Sequence, residues 1–146
     1  MARYVNTIRS ARSQTDAFDF MADLRNFEQW DPGVRQVTQI TGDGGGADAD
    51  FDVVVDAPRG GLTLRYHTPI HEPPNRVVVR ARSRLFTSID TITVQADGQS
   101  SIVTYDATLS LNGPLAIFDL VLRPVFGRIG DRANIGLLKA LDGKPA

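Results

Sequence analysis

Residues 61–96 read GLTLRYHTPIHEPPNRVVVRARSRLFTSIDTITVQA. Apolar and polar side chains alternate along three runs in this stretch, at about 61–71, 76–83 and 86–96. A period of two is what a strand with one buried and one solvated face requires. The breaker HEPPNR separates the first two runs, and its residue types favour a tight turn over a crossover. The same period extends to about 34–41, 49–56 and 101–111, with GDGGGAD, APRGG and ADGQS as the breakers. Six strands joined by short connections predict one antiparallel meander.

The registers test one another. Centring each hairpin on its turn pairs Tyr66 with Ala81, Ala81 with Ser88 and Ser88 with Leu109. One neighbouring row is then Thr68, Val79, Asp90 and Ala107, and the next is Ile70, Val77, Ile92 and Tyr105. On the other side lies Leu64, Ser83, Phe86 and Leu111. Turns placed independently thus bring mostly apolar positions to one face, and a slip of one residue would turn them all outward. The opposite face carries Arg65, His67, Arg80 and Arg82, with Asp52 opposite Arg65. An anionic partner or RNA is the functional reading of these arginines, but a solvated ladder with one Arg–Asp pair fits the balanced charge.

Upstream, residues 3–10 form a seventh strand, and Ser13 or Thr15 caps a helix that has Asp16 in its first turn. Phe18, Met21 and Ala22 supply that helix with an apolar stripe, and a second helical piece runs from about Leu24 to Trp30. Asp31-Pro32-Gly33 ends it. Downstream, Asn112-Gly113-Pro114 opens a helix running to about Leu141, long enough at ~40 Å to cross the sheet. Its stripe is Leu115, Phe118, Leu122, Val125, Ile129, Ala133 and Leu137, and Pro124 predicts a kink. Residues 115–122 are apolar nearly all round, so part of this segment should face bound ligand, a second chain in a homodimer or a membrane surface.

With 146 residues and no internal linker, the chain reads as one domain, 1–146. Sixteen basic against seventeen acidic residues argue against a general nucleic-acid binder. The absence of cysteine excludes disulfides, thiolate nucleophiles and Cys-ligated zinc. No apolar run approaches the ~20 residues of a membrane span, and the N-terminus lacks a signal-peptide core, so a cytoplasmic protein is expected. His67 and His71, the two histidines, share a face in an ideal strand but lie ~13 Å apart, so they form no metal site. The loop Gly42–Asp50 lacks the Gly-Lys-Ser/Thr of a phosphate loop and the spacing of a calcium loop, and reads as a flexible hairpin connection.

The segment Phe18–Gly33, FDFMADLRNFEQWDPG, resembles the N-terminal signature of the START-like, or SRPBCC, superfamily. Asp90-Thr91-Ile92-Thr93-Val94, Thr104-Tyr105 and Leu111-Asn112-Gly113-Pro114 are similar to later landmarks of its polyketide cyclase/dehydrase-like branch. The resemblance covers essentially the whole chain. It implies an α+β helix-grip fold of the START and Bet v 1 kind, in which a seven-stranded curved antiparallel sheet wraps a long C-terminal helix. It also implies an apolar cavity between the two.

Within such a cavity the small residues Ala81, Ser88 and Ala107 leave room around Tyr66 and Asp90. Apolar walls with Tyr66, Thr68, Ser88 and Asp90 converging make a small-molecule site, provided that Phe118 or Phe126 does not fill the gap. A carboxylate at Asp90 among Val79, Ile92 and Ala107 would have a raised pKa, suiting a general base or a hydroxyl acceptor. Equally, Asp90 could be an ordinary buried acid satisfied by Thr68 or Tyr66. Tyr66 and Tyr105 could donate to a ligand carbonyl or simply pack in the sheet, and Trp30 shapes the cavity mouth.

The resulting expectation is a binder of a small hydrophobic ligand (a lipid, polyketide or aromatic metabolite), with no cofactor and no metal. Tyr66, Thr68, Ser88, Asp90 and Tyr105 would orient its polar group, while Trp30, Phe118, Leu122 and Val125 line the rest. One alternative is a cyclase or dehydratase in which Asp90 abstracts a proton and Tyr66 stabilises the enolate. Another is a toxin-like or protein-interaction module that uses the outer arginines or the apolar helix start.

Overall fold

Hydrogen-bonding requirements of the alternating runs produce one eight-stranded antiparallel sheet, here in a computed structural model, with strand order β2-β3-β4-β5-β6-β7-β1-β8. The structure describes residues 1–57 and 60–146, with the side chains of 57 and 117–122 outside what is described. The elements in chain order are β1 (Ala2–Ser10), α1 (Gln14–Ala22), a 3-10 turn (Leu24–Asn26), α2 (Phe27–Trp30), β2 (Val34–Thr41), β3 (Asp50–Ala57) and β4 (Gly60–Glu72). They continue with β5 (Arg76–Arg82), β6 (Phe86–Asp97), β7 (Ser100–Leu111), a 3-10 segment (Gly113–Phe118), α3 (Asp119–Ala140) and β8 (Gly143–Pro145).

The meander follows the expected register through β5, β6 and β7, where Ala81 faces Ser88, Ser88 faces Leu109, and the pairs Val79–Asp90–Ala107 and Val77–Ile92–Tyr105 align. It departs in β4. Tyr66 pairs with Ala81 and His67 with Arg80, but Ile70 then faces Val78 and His71 faces Val77, one residue out of step with the row expected. The extra residue lies at Thr68-Pro69, and the cause is Pro69: it has no N–H to donate, so the ladder resumes only beyond it. The slip turns His71 to the inner face, where its ring meets Phe18 at 5.3 Å. His67 stays outside, 2.7 Å from Asp50. The histidines therefore occupy opposite faces, not one.

Ser13 caps α1 by accepting from the Asp16 N–H at 3.2 Å, and Asp23 caps the following turn through the Arg25 N–H. The buried side of α1 (Phe18, Met21, Ala22) then packs on the sheet beside Ile8, Phe51 and Val94. The Gly42–Asp50 loop does not stand free. Gln39 brackets Gly44 by accepting its N–H at 2.8 Å and donating to its carbonyl at 2.9 Å, and a Cβ on Gly45 would sit 2.7 Å from that of Ala22.

The C-terminal helix is shorter than expected. The α-helical part has 22 residues, ~33 Å by rise per residue, because residues 113–118 wind as a tighter 3-10 segment after Gly113 at φ 57°. Beyond α3 the chain adds β8, which pairs Ile8 with Pro145 and Ser10 with Gly143. This strand is missing from the sequence reading because Gly143-Lys144-Pro145 has no alternation to reveal it. Pro145 is tolerated there on a sheet edge.

Candidate functional site

A cavity of ≈ 620 Å³ lies between the concave face of the sheet and α3. Its apolar wall comes from Leu64, Phe86 and Leu109 on the sheet and from Phe126, Ile129 and Leu137 on α3. Small residues keep it open: Ala107 on β7 and Ala133 on α3 both line it. At Gly130 the close approach is to Tyr4, whose ring would lie 2.4 Å from an added Cβ. Phe126 forms wall and leaves the space unfilled.

The polar end is built by β6, β7, β4 and the end of α2. Asp90, 5% exposed, accepts a 2.5 Å hydrogen bond from the Tyr105 hydroxyl. Ser88 and Tyr66 line the same space. A run of edge-on aromatic contacts fixes the two tyrosines: Tyr66 against Phe27 at 6.2 Å, Phe27 against Trp30 at 5.0 Å and Trp30 against Tyr105 at 5.7 Å. Asp31 follows Trp30 and accepts the Gly33 N–H at 2.9 Å, closing the turn that ends α2.

Burial governs the protonation of these groups. It pushes Asp90 up to about 6, against the opposing hydrogen bonds from Tyr105 and Ser88, and the nearby Asp31 charge adds to the rise. Burial likewise raises Asp31, with the Gly33 N–H opposing. Tyr66 and Tyr105 are held far above the ordinary phenol range by burial first and then by the Asp90 charge. The shared proton of the Tyr105–Asp90 pair therefore resides on the tyrosine, which donates. Toward solvent, Tyr4 donates to Asp131 at 2.9 Å, and Asn6 bonds Asn134, tying β1 to α3 beside the opening.

Of the residues singled out from the sequence, Tyr66, Ser88, Asp90, Tyr105 and Trp30 meet at this cavity. Thr68 does not line it. The β4 bulge draws its backbone to Ala49 and Asp48, and its fully buried hydroxyl has no partner. The satisfying partner of Asp90 is thus Tyr105, not Thr68. Val125 is 49% exposed and also lies off the lining, where Phe126 takes its place beside Ile129, Ala133 and Leu137 of the expected stripe. Phe118 and Leu122, like the rest of 117–122 in the apolar segment 115–122 expected to face ligand, a second chain or a membrane surface, have side chains outside those described.

Asp31, Tyr4, Asn134 and Arg132 line the site without having been singled out. Asp31 was read only as a helix breaker. Its position directly after a tryptophan that ends a helix was the available signal. Among the described residues, no group of three or more His, Cys, Asp or Glu side chains is placed to hold a metal, and no helix is long and apolar enough to cross a membrane.

A sheet gripping a C-terminal helix around a cavity defines the helix-grip class, and comparison with known proteins makes this specific. The family described as "Polyketide cyclase / dehydrase and lipid transport" matches residues 1–141, and the chain belongs to it. A START superfamily protein from Mycobacterium smegmatis has a similar structure, with TM-score 0.72, 14% identity and coverage of 97% of this chain and 94% of that one. A STAR-related lipid transfer protein from Xanthomonas axonopodis gives TM-score 0.72 at 16% identity, covering 96% and 85%. The di-domain ARO/CYC StfQ of the steffimycin biosynthetic pathway gives 0.69 at 16%, covering 96% of this chain and 50% of that one. At these identities the likeness is one of fold. A search of curated proteins returns no match.

Proposed function

We propose that this chain binds a small apolar molecule, a lipid, polyketide or aromatic metabolite, between its sheet and α3. The observation that carries this reading is the ≈ 620 Å³ cavity itself: apolar along its walls and polar at one end. That volume lies within the ~300–1,000 Å³ of small-molecule sites. Phe86, Leu64 and Leu137 would cover the ligand's hydrocarbon, while Tyr66, Ser88 and the Asp90–Tyr105 pair orient its polar group. The family's lipid-transport and cyclase members support the same ligand chemistry. Native mass spectrometry of the purified protein, followed by solvent extraction, tests it. A discrete added mass that extracts as an apolar compound is expected, whereas a bare chain that also fails to take up neutral apolar probes refutes the reading.

One observation favours a catalytic version. Asp90, near 6, is poised to exchange a proton around neutral pH. It would take a proton α to a ligand carbonyl while the Tyr66 hydroxyl donates to the enolate oxygen. Loss of cyclisation or dehydration of a polyketide substrate in both Asp90→Asn and Tyr66→Phe is the expected result, and a rate that survives Asp90→Asn removes this version.

A further inference from the structure

Among the described residues, the polar end of the cavity carries carboxylates with no cation paired to them. The charged residues described in its lining are Asp31, Asp56, Asp90 and Arg132. Asp56 is engaged by Arg35, and Arg132 is exposed on α3. That leaves Asp31 and Asp90 at the enclosed end, close enough for the charge of Asp31 to act on Asp90, Tyr66 and Tyr105. Asp106, on the other face of the sheet, is paired with Arg3. The neutral groups around Asp90 are hydroxyls: Tyr105 donates to it, and Ser88 and Tyr66 stand beside it. A buried carboxylate served by hydroxyls alone has an unmet electrostatic requirement, since charges taken from water are normally paired. A second observation points to a ligand but not to its charge: Trp30, 5% exposed, lines the same cavity, and its indole Nε1–H, a donor that needs an acceptor and not an ammonium group, has no hydrogen-bond partner.

Resting on the ligand-binding reading above, we infer that the cavity's ligand is an apolar molecule bearing a protonated amine, paired with Asp90 and seated in the field of Asp31. Both carboxylates disfavour an anionic ligand such as a fatty acid, whose head group would have to share this low-dielectric space with like charge. An alkylamine, with a pKa near that of lysine at ~10.4, enters as the cation and supplies charge-assisted hydrogen bonds. A neutral alcohol of the same skeleton makes a hydrogen bond but brings no charge. Asp90 is largely ionised above its value of about 6 and neutral below it, so the preference for the amine is strongest at neutral to alkaline pH and fades in acid.

The test uses three probes of one skeleton, 4-phenylbutylamine, 4-phenylbutanol and 4-phenylbutyrate, titrated calorimetrically at about pH 7.5 and again at about pH 5. The neutral dye N-phenyl-1-naphthylamine reports separately whether the cavity takes up apolar molecules. The expected order at the higher pH is amine tightest, by about tenfold over the alcohol, with the carboxylate weakest. At the lower pH the amine's lead shrinks. Asp90→Asn, checked for folding by its thermal melt, removes the difference between amine and alcohol. Equal or tighter binding of the carboxylate overturns the inference, as does an amine lead that is unchanged in Asp90→Asn. If the dye binds and the amine has no lead, the inference alone falls. If neither the dye nor any probe binds, the ligand-binding reading falls with it.

Discussion

Asp90 works against the fold that holds it. An acid whose pKa is higher in the folded chain binds more protons folded than unfolded between the two values. Stability therefore falls as pH rises from the ordinary 3.8 toward about 6, and the full cost is present above that. A rise of this size corresponds to about 3 kcal/mol. Asp90→Asn keeps an acceptor for Tyr105 and removes the charge. It is expected to be more stable than the parent by up to about 2–3 kcal/mol near pH 7.5 and to lose that lead near pH 4, which denaturant melts at the two pH values would show. Tyr105→Phe has the opposite effect. It strips the carboxylate of its 2.5 Å donor and should cost about 1–3 kcal/mol at neutral pH, with the apparent pKa of Asp90 moving further up. A melt unchanged by Tyr105→Phe would contradict this account of the pair. That Asp90 is buried and perturbed could be read from its row in the meander, because strand alternation places it beside Val79 and Ala107. Its partner is less legible, since Tyr105 belongs to the next row and its hydroxyl reaches Asp90 diagonally across the β6–β7 pair.

The elements differ in how openly their sequences declare them. β5, β6 and β7 follow the two-residue period closely, and tight turns such as the one at Gly98, φ 64°, lock their register. β4 carries the same alternation, but Pro69 introduces a bulge that no periodicity reveals, and Thr68 and His71 change position as a result. α3 is less open still. Its expected stripe holds at Ile129, Ala133 and Leu137 but not at Val125, and two of its glycines mark close approaches that the stripe does not reveal. Gly136 meets the Trp30 carbonyl so closely that an added Cβ would lie 1.8 Å from the oxygen, and Gly130 lies against the Tyr4 ring. On the cavity side, Phe126 and not Val125 joins Ile129, Ala133 and Leu137. Gly127 has nothing within 4 Å. Gly127→Ala is accordingly expected to raise stability by about 0.5–1 kcal/mol through helix propensity. Gly136→Ala should lower it by about 2 kcal/mol or more, with a shift in Trp30 fluorescence as α2 is pushed away. Equal effects of the two substitutions in thermal melts would argue against the close α2–α3 approach.

At the scale of the whole molecule, the core and the cavity share one face of the sheet, the core beneath α1 and the cavity beneath α3. Phe18, Phe51, Met21, Leu24 and Val94 are fully buried beneath α1, and this packing, together with the long antiparallel ladders, carries much of the stability. Further along the same face, the packing toward α3 is left incomplete by Ala107 and Ala133. A fold stabilised beneath α1 can tolerate an unfilled space beneath α3, and the account's central claim is that this space holds a ligand. Ala107, 8% exposed on the cavity wall, offers a direct way to close it. The decisive measurement is native mass spectrometry of the parent protein beside Ala107→Phe, both purified identically. The account predicts an added apolar mass on the parent and none on the variant, whose melting temperature is equal or higher because a phenyl ring now occupies the space. The same mass on both proteins would place the ligand elsewhere, and a bare parent that also refuses neutral apolar probes would contradict the claim outright.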